Sequence, residues 1–93
     1  MSERLWRVEF SKDAAAEFRK LDRTVQSRIL KFLRTRIASS DNPRRLGKRL
    51  SGDLSNLWRY RVGDYRLLVS IEDKVLLVLV VAVGPRGDIY RRP

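Results

Sequence analysis

The sequence predicts a single α+β domain, with two helices packed on one face of a largely antiparallel four-stranded sheet in the order β-α-α-β-β-β. Three observations carry this reading. Apolar and polar residues alternate over residues 5–10 and 58–62, and after a Gly63-Asp64 loop Tyr65, Leu67, Val69 and Ile71 resume the apolar face, which is the period of half-buried strands. Between them, apolar residues recur at helical spacing from position 14 to position 37. Residues 75–83 are continuously apolar, as in a central strand covered on much of both faces. With helices kept together in sequence ahead of the long strands, the α+β class follows.

In the first strand Trp6, Val8 and Phe10 fall on one side, and Arg7 and Glu9 on the other. Ser11 stands where a helix needs a cap, Asp13 sits favourably in the first turn, and Ala14, Phe18 and Leu21 form the apolar stripe. Asp22 marks a second cap before Val25, Ile29, Phe32, Leu33 and Ile37. Ser39-Ser40-Asp41-Asn42-Pro43 ends that helix, because proline and its predecessor both resist continuation. Residues 44–56 read as a basic loop in which Leu46, Leu50 and Leu54 pin a short helical turn, leaving Arg44, Arg45, Lys48 and Arg49 outside. Glu72-Asp73-Lys74 provides the turn before the last long strand, and Ile89-Tyr90-Arg91-Arg92 adds a short terminal one. Residues 1–93 form one unit, without repeats or a low-complexity linker.

Charge narrows the choice of partner. Lys and Arg total 21 against 11 Asp and Glu, a formal net charge of +10. The excess is mostly arginine, whose planar fork suits bidentate phosphate contact. A hydrophobic fraction of 43% is enough for a folded domain. The chain has no cysteine and no histidine, which excludes disulfides, thiolate nucleophiles, Cys/His zinc sites and an imidazole base. Chemistry must then come from Arg, Lys, Tyr or carboxylates, and neither a metal nor a cofactor is expected. No apolar stretch has signal-peptide character or the length of a membrane span, so a cytoplasmic protein is expected.

The most informative stretch lies at residues 58–67. A two-residue Gly63-Asp64 loop makes it a β-hairpin, with Val62 opposite Tyr65 and Arg61 opposite Arg66. Like charges directly opposite each other destabilise a sheet by ~0.2–1 kcal/mol, a cost that a phosphate between them would reverse. Alternation puts Arg59, Arg61 and Arg66 on the face away from Trp58, Tyr60, Val62, Tyr65 and Leu67. The expectation is an open, concave basic surface on one side, with the aromatics in the core. Arg86 and Tyr90 arrive beside the basic surface if the last long strand runs antiparallel to its predecessor.

Together these features resemble the RelE/ParE family of bacterial toxins from toxin-antitoxin pairs. The resemblance rests on Trp6-Arg7-Val8-Glu9-Phe10-Ser11, Lys20-Leu21-Asp22, the basic-Leu-x-Gly element at residues 48–52, the hairpin at residues 58–67, and Val83-Gly84-x-Arg86 leading to Ile89-Tyr90. Through its RelE branch the resemblance implies a ribosome-dependent mRNA endonuclease that works by attack of the ribose 2′-hydroxyl on the adjacent phosphate. It assigns catalysis to Arg59, Arg61, Arg66, Arg86 and Tyr90. RNA and ribosome contacts are expected from Arg44, Arg45, Lys48 and Arg49. Some relatives carry histidine where this chain has Pro85, so a Glu/His pair is not available here. The implied partners are a cognate antitoxin, the ribosome with its mRNA, and DNA only through the antitoxin complex. A ParE-like inhibitor of DNA gyrase with the same fold, or a non-catalytic RNA-binding module, is the alternative.

Overall fold

The computed structural model describes residues 5–85. The expected terminal strand at residues 89–92 lies outside them. Strand β1 (Arg7–Phe10) leads into helices α1 (Lys12–Arg19) and α2 (Arg23–Phe32), and α2 continues as a wider turn of π-helix over Leu33–Ile37. A short strand β2 (Lys48–Arg49) precedes the hairpin of β3 (Trp58–Val62) and β4 (Tyr65–Glu72), and β5 (Leu77–Pro85) follows. The sheet order is β1-β5-β4-β3-β2.

The first helix is capped as anticipated and the second is not. The Ser11 side chain accepts the Ala14 amide at 3.1 Å, capping α1. Asp22 occupies the cap position of α2, but its side chain makes no capping bond. The junction is closed from the other side, where the Gln26 Nε2 donates to the carbonyls of Phe18 and Leu21 at 3.1 and 3.0 Å. The Phe18 carbonyl, in the last turn of α1, also accepts the Leu21 amide at 3.1 Å, and Leu21 lies just beyond the helix.

The sheet differs from expectation in two respects: it has five strands, and one of its pairs is parallel. β2 is the added strand, with Lys48 opposite Arg59 and Arg49 opposite Trp58. Two residues are too few to show a period, so only their tertiary pairing reveals them. β1 runs parallel to β5, with Arg7 opposite Leu77 and Phe10 opposite Val80. The two helices between β1 and the hairpin carry the chain across one face, and β1 becomes an edge strand beside β5.

One core lies between that face and the helices, built from Trp6, Ala14, Ile29, Leu33, Ile37, Tyr60, Val62, Leu67, Val69, Val78, Val80 and Val83. A smaller cluster of Leu68 and Ala82 sits on the opposite face, with Leu50, Leu57 and Val81 against it. The pairing jumps from Leu68–Ala82 to Val69–Val80, leaving Val81 as a bulge. This extra residue shifts the parity of β5, so Val80 and Val83 both point into the main core. Apolar cover on both faces accounts for the unbroken apolar run of this strand.

Candidate nucleic-acid interface

The hairpin has the register that its alternation implied. Gly63 takes φ +60°, a left-handed conformation that glycine adopts without steric cost, and the tight loop sets Val62 against Tyr65. Arg61 is then directly opposite Arg66. Among the described residues neither guanidinium is part of an ion pair. Arg66 Nη1 donates to the carbonyl of its neighbour Tyr65, at 3.3 Å.

The two arginines differ sharply in exposure. Arg61 is exposed, whereas Arg66 is only 5% exposed. The expected open surface is therefore corrected at this position: Arg66 lies on β4, an interior strand with β3 and β5 on either side. Opposite it on β5 is Gly84, which brings no side chain of its own. A guanidinium largely withdrawn from water, with no carboxylate partner among the described residues, creates strong local demand for an anion.

A second basic row adjoins this pair. Lys48 on β2 lies opposite Arg59 on β3, and Arg45, Leu46, Gly47, Lys48, Arg59 and Arg61 line a pocket of about 280 Å³. Four of these six residues are cationic. Arg45 also pairs with Asp41 at 3.3 Å, an exposed i,i+4 contact of a kind worth about 0.3–0.5 kcal/mol and weak enough for a phosphate to displace.

The four residues expected to bind RNA from residues 44–49 are not brought together in one place. Arg44 is directed elsewhere: Nη1 and Nη2 donate to the two carboxylate oxygens of Asp73 at 2.9 and 2.6 Å, and the guanidinium lies 5.8 Å from the Trp58 ring centre. The contact with Asp73 raises the Arg44 pKa and lowers that of Asp73. Arg49 shares a face with Trp58 and its Nε donates to the Ser55 carbonyl at 2.8 Å, closing the loop. Strand alternation at β2 separates Lys48 from Arg49. Arg45 and Lys48 remain at the pocket.

Trp6, Trp58 and Tyr60 join the core as parity predicted, whereas Tyr65 is partly exposed and is not among the core residues. Tyr60 is fully buried, its hydroxyl donates to the Pro43 carbonyl at 2.7 Å, and its ring meets Phe32 edge-on at 5.6 Å. Burial pushes its phenol pKa well above the usual value, so it is no proton shuttle near neutral pH. The anticipated helical turn in the basic segment is split into two 3₁₀ turns, at Pro43–Leu46 and Gly52–Leu54. Sequence reasoning passed over Asp73 and Gly47, since their partners lie far along the chain. Arg86 and Tyr90 lie outside the described residues.

A small α+β domain with this sheet order and this basic hairpin has known relatives. Residues 8–90 match the ParE toxin family of type II toxin-antitoxin systems, parDE. The chain belongs to the RelE/ParE toxin family. It is 34% identical over 85 residues to Toxin RelG of Mycobacterium tuberculosis, with 91% of this chain and 95% of that protein covered. Its structure resembles that of the toxin-antitoxin complex RelBE2 from Mycobacterium tuberculosis, with a TM-score of 0.81 and 28% identity over 94% of this chain and 98% of that one. The archaeal RelE-RelB complex from Pyrococcus horikoshii gives a TM-score of 0.69 and 28% identity, covering 90% and 98% of the two chains. Relatives in this toxin family have thus been solved together with antitoxins.

Proposed function

We propose that this toxin is a ribosome-dependent, metal-independent mRNA endonuclease acting in the cytoplasm. The observation that supports it best is Arg61 directly opposite a buried Arg66, with Lys48 and Arg59 on the adjoining row. The ribose 2′-oxygen attacks the adjacent phosphorus, the bond to the 5′-oxygen of the next nucleotide breaks, and negative charge builds on the equatorial oxygens. Guanidinium donors already fixed at that position stabilise the charge without reorganisation. Arginine, with a pKa above about 12, is a poor proton carrier. Arg66 and Arg86 grip the scissile phosphate, while Arg59 and Arg61 stabilise charge and position the strand. Tyr90 or a ribosomal group handles the 2′-hydroxyl proton. The free toxin is consequently a feeble nuclease, and a cognate antitoxin covers or disorders the site and makes most of the DNA contacts of the complex.

The match to the ParE family favours a second reading, inhibition of DNA gyrase by binding without RNA chemistry. Adding the purified protein to a translation extract and mapping mRNA ends separates the two. Codon-phased cuts that require ribosomes support the nuclease. Gyrase-linked DNA damage with intact mRNA supports the alternative, and salt-sensitive RNA binding without either leaves a binding module.

A further inference from the structure

We propose that Asp73 is a positioning residue for the anion site: by clamping Arg44 it holds the Pro43–Leu46 turn against the sheet, which keeps Arg45 and Lys48 over Arg59 and Arg61. This rests on the reading of that pocket as the place where the RNA backbone binds. Asp73 follows β4 directly, 29 positions after Arg44, and takes its guanidinium through both carboxylate oxygens. The same guanidinium covers the Trp58 ring. Arg44 is thus fixed on two sides, by a carboxylate and by an aromatic face. Its backbone is fixed as well, because the Arg44 amide donates to the Asn42 side chain at 3.1 Å and the preceding Pro43 carbonyl accepts the Tyr60 hydroxyl. The next residue, Arg45, lines the pocket, and Lys48 follows three positions later.

Arg44 carries one of the four positive charges of residues 44–49, yet that charge is used internally. Without Asp73, Arg44 is released and the 3₁₀ turn loses its attachment to the end of β4. The turn between Pro43, still held by Tyr60, and Lys48, still paired with Arg59, then loosens, and the Arg45 and Lys48 side chains converge less well with Arg59 and Arg61.

The sign of the effect makes the idea testable. Asp73→Asn removes a negative charge from a protein that binds a polyanion, so long-range electrostatics alone predicts tighter binding. Positioning predicts weaker binding. The experiment measures the affinity of a single-stranded oligonucleotide with 2′-O-methyl riboses, which resists 2′-hydroxyl cleavage, across a range of salt concentrations. For Asp73→Asn, we expect binding about 3–10-fold weaker than wild type and a log–log salt slope smaller by about 1–2, as Arg45 and Lys48 disengage from phosphates. Asp73→Glu, which keeps the carboxylate, should recover most of the affinity and the slope. An Asp73→Asn protein that binds as tightly as wild type or tighter, or an Asp73→Glu protein no better than Asp73→Asn, overturns the proposal. Arg59→Ala and Arg61→Ala, measured alongside, separate the two levels of the argument. If both bind like wild type, the reading of the pocket itself fails; if they are weaker and Asp73→Asn is not, only the positioning role does.

Discussion

Tyr60 reaches from the middle of β3 to the Pro43 carbonyl, a bond of 2.7 Å between residues 17 positions apart. A fully buried core side chain on β3 thereby anchors the start of the basic segment. Arg59 and Arg61, its neighbours on either side along the strand, point to the opposite face. Core packing and the placement of the cations are mechanically linked through this one residue.

Tyr60→Phe keeps the ring and its contact with Phe32 but leaves the Pro43 carbonyl without its buried donor. The expected cost is about 1–3 kcal/mol, read from chemical denaturation. Amide exchange should accelerate in residues 43–49 more than in α1. Uniform acceleration throughout the chain would show that the bond does not anchor the segment locally.

Gly47 lies where the basic segment crosses Tyr60. A Cβ at this position would come within 2.9 Å of Tyr60 Cε1 and 3.1 Å of the Arg59 carbonyl oxygen. Neither neighbour is the free end of a flexible side chain. Gly47→Ala should therefore push the segment off the sheet at a cost of about 1–3 kcal/mol and weaken oligonucleotide binding. An alanine variant with wild-type melting and affinity would mean that β2 yields without consequence.

The opposed arginines give a prediction for both activity and stability. Arg61→Ala should abolish cleavage while leaving the melting temperature unchanged or slightly raised, because it removes a like-charge pair worth ~0.2–1 kcal/mol. Inorganic phosphate should raise the melting temperature of the wild type more than that of the variant. Arg66→Ala should also abolish cleavage. Burial of Arg66 makes its removal less benign, since the aliphatic stem leaves a space beside Leu68 and Gly84. Retention of full activity in either folded variant would remove that residue from the mechanism.

Alkaline pH tests the environment of Tyr60. Its pKa is raised in the folded state, mainly by burial, so the folded chain favours the neutral phenol. The associated stability is fully present below the ordinary tyrosine value of about 10 and is lost as pH rises above it. Ultraviolet titration should show Tyr60 ionising only together with unfolding, and the Tyr60→Phe protein should lose less stability above that pH. A phenolate that forms reversibly in the native state near pH 10 would contradict the burial.

Local chemistry made much of this protein legible in one dimension. The hairpin register, the opposition of Arg61 and Arg66, the Ser11 cap and the core position of Tyr60 all follow from spacing, because a strand alternates with period two and a two-residue loop dictates which residues face each other. The parallel β1–β5 pair, the two-residue β2, the withdrawal of Arg66 from water and the diversion of Arg44 and Arg49 from the pocket depended on the assembled molecule. These are products of contacts between residues distant in sequence: Arg44 meets Asp73 and Pro43 meets Tyr60 only once the helices have packed and the hairpin is in place. A basic segment read alone shows its charges, whereas only tertiary packing decides which of those charges are neutralised within the fold and which are left to face a ligand.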